Sequence, residues 1–125
     1  MRRGVMNNLN SVLIEGNVVG DPELSYSEKG TAQCHFRVAC HRSYKEEEKL
    51  VEEVGLLDIA SHGRLAETCA EYLKKGRGVR IVGRLKQETE CIDVGDGPDR
   101  EISRVWIEAE HVEFKPQPYG KEKKE

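Results

Sequence analysis

Between residues 32 and 41 the chain alternates in character. Ala32, Cys34, Phe36, Val38 and Cys40 form one row, and Gln33, His35, Arg37, Ala39 and His41 form the other. Successive side chains of a strand point to opposite faces, so this segment predicts a strand with one core face and one wet, basic face. Upstream, Val12, Leu13 and Ile14 open an earlier strand. Gly16, Gly20 and the Asp21-Pro22 pair are expected to bring it to a turn, because proline fixes its backbone and lacks an N–H. A short segment over residues 24–27 then meets a turn at Lys29-Gly30. Downstream, the polar stretch 43–53 reads as a long loop, and residues 54–60 read as the return strand of an antiparallel pair.

At Gly63 the period changes. Leu65, Cys69, Tyr72 and Leu73 recur at helical spacing, and Gly76 follows two lysines, a common way for a helix to stop. Phe36 and Tyr72 fall on apolar faces and are expected in the core, with Tyr26 packed as well. Val79, Ile81, Gly83 and Leu85 then alternate with Arg80, Val82, Arg84 and Lys86. Gly95-Asp96-Gly97-Pro98 makes a loop, and Val105, Ile107 and Ala109 mark a last strand. Three strands, a helix and two strands are the order of the all-β, five-stranded oligonucleotide/oligosaccharide-binding Greek-key barrel, with its helix between strands 3 and 4. That topology permits nucleic-acid binding without proving it.

A length of 125 residues is enough for one domain. Residues 1–8 lack periodicity and read as a flexible arm, 9–114 as the folded domain, and 115–125 as a flexible tail. Hydrophobic residues are 37%, charged residues 34% and the net charge is −3, values that describe a polar-surfaced protein. No apolar run approaches the roughly 20 residues of a spanning helix, and no charged-then-apolar leader precedes Asn10, so a cytoplasmic location and no membrane partner are expected. Cys34, Cys40, Cys69 and Cys91 lack any C-x-x-C spacing and read as buried small hydrophobes.

Three blocks carry a resemblance. The first is Asn10-Ser11-Val12-Leu13-Ile14-Glu15-Gly16-Asn17, continued by Asp21-Pro22-Glu23-Leu24-Ser25-Tyr26. The second is His62-Gly63-Arg64-Leu65-Ala66-Glu67 with Tyr72-Leu73-Lys74-Lys75-Gly76, and the third is Val79-Arg80-Ile81-Val82-Gly83-Arg84-Leu85. Together they resemble the bacterial single-stranded-DNA-binding protein family, over about residues 9–114. The resemblance implies a barrel, usually homotetrameric, that coats single-stranded DNA in replication, repair and recombination. It also implies a nucleoid association, and neither catalysis nor a cofactor.

Such a role needs cations for phosphates and flat rings for bases. Arg37 and Arg42 fall on or beside the wet face of the second strand. Lys45 sits in the following loop, and Arg80, Arg84 and Lys86 share the polar parity of the fourth strand. Arg64 and Lys75 are candidates by the resemblance, since they stand where the family motif carries a basic residue. Tyr44 stands where the family often places a stacking aromatic. Leu56, His62 and the neighbourhood of Glu90 replace aromatics common in the family, although His62 retains a ring that can stack. Trp106 has the opposite parity from Val105 and Ile107, so it faces away from the interior; a subunit contact is preferred for it over a DNA contact.

Two features depart from the family pattern. The stretch 43–53 carries Glu46, Glu47, Glu48, Glu52 and Glu53 against Lys45 and Lys49, which repels phosphate unless the loop bends aside. The chain closes on Lys121-Glu122-Lys123-Lys124-Glu125, without the acidic tail and apolar tip that family members offer to replication and repair proteins. Such proteins remain candidate partners without that handle.

Catalytic and metal readings do not cohere. His35 and His41 share a face but lie about 20 Å apart along a strand, too far for one ion. The run Asp93-Val94-Gly95-Asp96-Gly97 lacks the ligand spacing of a calcium loop. The alternative function is a protein-interaction module on the same barrel, or a dimeric primosome accessory protein, with weak DNA binding.

Overall fold

The computed structural model describes residues 6–116. Its elements are β1 (Val12–Tyr26), β2 (Ala32–Glu46), β3 (Lys49–His62), α1 (Gly63–Tyr72), β4 (Gly78–Ile92) and β5 (Arg100–Phe114). The strands form a closed barrel in the order β1-β2-β3-β5-β4. Parallel pairing of Ile59 with Ile107 and of Ala60 with Glu108 joins β3 to β5, while the other contacts are antiparallel. This is the expected five-stranded topology, with the helix between the third and fourth strands. No helix among the described residues is long and apolar enough to cross a membrane.

The inward rows of the strands supply the core: Val18, Cys34, Phe36, Val38, Ile59, Val79, Ile81 and Ile107. Ala66 and Cys69 of α1, with Leu73 just beyond it, pack against this cluster. Burial raises the Cys34 thiol to about 11, so it packs as a neutral thiol. Closure brings backbones very close at Gly83, where an added Cβ would stand 2.2 Å from the Glu108 carbonyl oxygen. Ahead of β1, Asn10 accepts from the Leu85 N–H and donates to its carbonyl, both at 2.9 Å.

Several expectations are corrected. Asp21-Pro22 does not end the first strand: β1 continues to Tyr26, and its register against β2 jumps between Val19 and Glu23. Gly20 at φ 81° and the missing proline donor are absorbed by this irregularity, which bends the strand without stopping it. The polar stretch 43–53 is a paired ribbon rather than a loop. The register runs unbroken to Glu46↔Lys49, around a two-residue turn in which Glu47 and Glu48 have φ of 51° and 70°. Alternation fades there because a ribbon projecting beyond the barrel has no core face to cover.

Tyr72 is 53% exposed, because the inward position at the helix end is taken by Leu73; its ring rests 6.1 Å from that of Phe114. Tyr26, at the outer end of β1, is 59% exposed. Cys91 is exposed on the distal part of β4, and Cys40 is half-buried with its Sγ donating to the Glu15 carbonyl at 3.1 Å. Phe36 is buried as expected. Most of the arm, residues 1–5, and the tail from 117 onward lie outside the described residues.

Candidate nucleic-acid interface

Residues opposite each other in a ladder share a sheet face. Gln33↔His62, His35↔Ala60 and Arg37↔Asp58 therefore line up on the outer face of β2 and β3, opposite the row that carries Phe36 and Ile59. This face is the floor of a groove of about 930 Å³. One wall is the bend of β1, with Val19, Gly20, Asp21 and Glu23. The other is the β4–β5 arm, with Glu88, Arg104, Val105 and Trp106.

Rings, cations and acids mix in this groove. Arg37 Nε donates to Asp58 Oδ1 at 3.1 Å, and both side chains remain more than half exposed. Arg104 is paired with Glu90 at 3.7 Å, its side chain mostly exposed. Beneath the rim, Glu108 is 8% exposed and meets two ring nitrogens: Trp106 Nε1 donates to Oε1 at 3.4 Å, and Oε2 is hydrogen-bonded to His62 Nδ1, which is the donor in the tautomer that a carboxylate acceptor requires. The Lys86 ammonium stands 6.0 Å from the centroid of the indole, at the reach of a cation–π contact.

Of the residues picked from sequence, the fold brings Arg37 and His62 into the groove, with Lys86 beside its wall. Trp106, for which its parity leaves a subunit contact preferred over a DNA contact, lines the same groove. Tyr44 and Arg42 lie on the β2–β3 ribbon, with the Arg42 guanidinium 5.2 Å from the Tyr44 centroid. Their pairings, Arg42↔Glu53 and Tyr44↔Val51, put them on the ribbon face opposite the row of Arg37. Of the two positions open to Arg42, on or beside the wet face, the structure has it beside: its even parity continues the row of Phe36 and Val38. Lys45 has the parity of Arg37 and is exposed near the ribbon tip.

Arg64 is exposed in the first turn of α1. Lys75 borders a separate recess of about 510 Å³ with Tyr72, Lys74 and Arg77. Arg80 is clamped: Nη2 and Nε donate to Glu15 Oε2 at 2.6 and 3.0 Å, and Nη1 donates to Glu113 at 3.1 Å. The hydrogen bond from Arg80 lowers the pKa of the Glu15 carboxyl, with the charges of Lys115 and Arg80 adding to it. Arg84 is paired with Glu110 at 3.1 Å. Sequence reasoning missed Arg104. The parity that put Trp106 outside the barrel applies two residues earlier as well, so the signal was present.

Residues 9–115 match the single-strand binding protein family. The chain belongs to that family. It is 35% identical over 115 residues to the single-stranded DNA-binding protein of Aquifex aeolicus, covering 91% of this chain and 75% of that protein. It is likewise 35% identical over 107 residues to single-stranded DNA-binding protein 2 of Clostridium acetobutylicum, covering 85% and 76%. The single-stranded DNA-binding protein of Treponema pallidum is 40% identical over 82 residues; the match covers 66% of this chain and 47% of that protein, so this chain spans about half of that relative.

Among solved structures, the small single-stranded DNA-binding protein of Streptomyces coelicolor superposes with a TM-score of 0.65 at 25% identity, covering 88% of this chain and 96% of that one. A variant of the Thermus aquaticus single-stranded DNA binding protein shares the fold at a TM-score of 0.74 and 23% identity, over 88% of this chain and 52% of that one. In this family member Leu56, opposite Ala39, extends the outward row of Asp58, Ala60 and His62 toward the ribbon and is exposed.

Proposed function

We propose that the groove binds single-stranded DNA with little sequence preference, and that the chain serves as a non-catalytic coat for exposed strands in replication, repair and recombination. The observation that carries this reading is the meeting of His35, His62 and Trp106 with Arg37 and Arg104 in one groove of a single-strand binding family barrel. Aromatic faces stack any base, and guanidinium groups hold phosphates in any sequence. Lys86 extends the cationic wall, while Tyr44 with Arg42 and Lys45 on the ribbon, and Arg64 and Lys75 around α1, offer peripheral contacts. We further propose a homo-oligomer, a tetramer in preference to a dimer, in the cytoplasm at the nucleoid.

A labelled oligo(dT) titration, read by anisotropy at several salt concentrations, tests the binding. The expected result is tight binding at low salt that weakens as salt rises, with a log–log slope of about −0.7 per neutralised phosphate. Absence of binding at low salt refutes the proposal. Light scattering gives the mass of the assembly.

A second reading has its own support. Asp21, Glu23, Asp58 and Glu88 also line the groove, and Glu46, Glu47 and Glu48 crowd the ribbon tip. These acids suit a protein-interaction or primosome accessory module with weak DNA binding. Weak, salt-insensitive binding by a dimer selects that reading.

A further inference from the structure

Trp106 is the chain's single tryptophan. It rises from β5 at the groove wall, and its indole nitrogen is tied to Glu108 on the same face of the same strand. The second oxygen of that carboxylate holds His62, at the end of β3. Pairing of Ala60 with Glu108 joins the two strands beside this cluster. A carboxylate withdrawn from water needs donors to replace its hydration, and here two aromatic N–H groups supply them. Each of those bonds also fixes the plane of a ring that borders the groove.

From this juxtaposition we propose that Trp106 and His62 form the base-stacking platform of the groove, and that Glu108 is a positioning residue that aims both rings without touching DNA. The proposal rests on the reading that the groove binds single-stranded DNA. Rings already tied in place lose less rotamer freedom when a base arrives, which favours binding. With both oxygens of Glu108 engaged by donors, its charge is also partly compensated where a phosphate chain must pass. Lys86, over the indole, is positioned to take a phosphate next to a stacked base. Tyr44 differs: its ring is already faced by Arg42, on the other side of the ribbon.

The single tryptophan makes the test direct. Oligo(dT) is titrated into the full chain while label anisotropy and intrinsic emission are followed together. The expected result is quenching of tryptophan emission in step with the anisotropy. Trp106→Ala should weaken binding about tenfold or more, Trp106→Phe should recover most of it, and Tyr44→Ala should cost less than Trp106→Ala. For Glu108, the readout is the quench amplitude at saturation. Glu108→Ala should reduce it, and Glu108→Gln, whose amide oxygen still accepts from one of the two rings, should restore it in part, with circular dichroism checking that each variant folds.

Anisotropy that rises with unchanged emission, together with parent-like affinity of Trp106→Ala, overturns the platform while leaving DNA binding intact. Weakened binding by Trp106→Ala accompanied by a smaller oligomer mass makes this residue a subunit contact and also overturns it. No anisotropy change at low salt removes the DNA reading and the platform together. Full quenching in Glu108→Ala refutes the positioning role. If Glu108→Ala does not fold, a folded Glu108→Gln protein with a reduced quench amplitude supports that role and one with the parent's amplitude refutes it.

Discussion

One face of β4 carries two regions of opposite character. At the end near α1, Arg80 is held by Glu15 and Glu113, and Arg84 by Glu110. Farther along the same row, Lys86 stands over Trp106, and Glu88 lines the groove beside Arg104. All four β4 residues have the same parity, and three of them are basic. Their partners differ because β1 covers Arg80, pairing with β4 only from Val12↔Gly83 to Asn17↔Gly78 and bringing Glu15 against it, while Arg84, just past that edge, is held by Glu110 of β5. Beyond Gly83, β4 pairs with β5 alone. Parity therefore assigns a side chain to a face, but the neighbouring strand decides whether its charge is consumed in the sheet or left for a ligand.

The variant expected to act most strongly sits where the two regions meet. Gly83→Ala drives a Cβ to within 2.2 Å of the Glu108 carbonyl, a backbone atom that cannot rotate away. A loss of about 1–3 kcal/mol is expected, as for other overpacked sites, read as a lower denaturant midpoint. Because Glu108 carries the Trp106 and His62 bonds, oligo(dT) affinity should fall with stability. Parent-like stability in this variant would show that β4 and β5 can separate there at little cost, and that the groove wall is less firmly built than its contacts imply.

A smaller effect divides the two regions directly. Lys86→Gln should reduce the steepness of the salt dependence of oligo(dT) binding by about 0.7, the value for one phosphate on a single strand. Arg80→Gln should leave that steepness unchanged, because its guanidinium is committed to carboxylates on both sides. Equal changes in the two variants would erase the distinction and return Arg80 to the binding face, where its parity alone had put it.

The barrel was legible in the sequence wherever one face of an element is covered. The row Ala32, Cys34, Phe36, Val38 and the helical spacing of Leu65, Cys69 and Leu73 follow from burial on one side only, and both elements occur where they are expected. Legibility ended where that asymmetry ends. The 43–53 ribbon is exposed on both faces over most of its length, so its polar run carried no strand signal although every residue is paired through to the turn. The groove was harder still. Its walls come from residues 19–23 and 104–106 and its floor from 33–37 and 58–62, segments that meet only once the barrel has closed. Arg37 was found because the floor strand alternates cleanly, whereas the place of Trp106 depended on which strands flank β5.

The smallest effect concerns acid and the clamped region. Hydrogen bonding from Arg80, reinforced by the charges of Lys115 and Arg80, lowers the pKa of Glu15 in the folded protein. A carboxyl with a lower pKa folded than unfolded stabilises the fold while it is ionised in both states. That stabilisation is complete above the unfolded value, about 4.3 for an ordinary glutamate, and disappears as pH falls through the folded value. Arg80→Gln removes the principal cause, so the parent's advantage in Tm over this variant should be present at pH 7 and should shrink toward pH 3. Both partners are substantially exposed, so the advantage should be small and should decline as salt is added. An advantage that is constant from pH 7 to pH 3 would mean that Arg80 acts through packing of its side chain rather than through Glu15, and the clamped half of the β4 face would then differ from the groove half in shape rather than in charge.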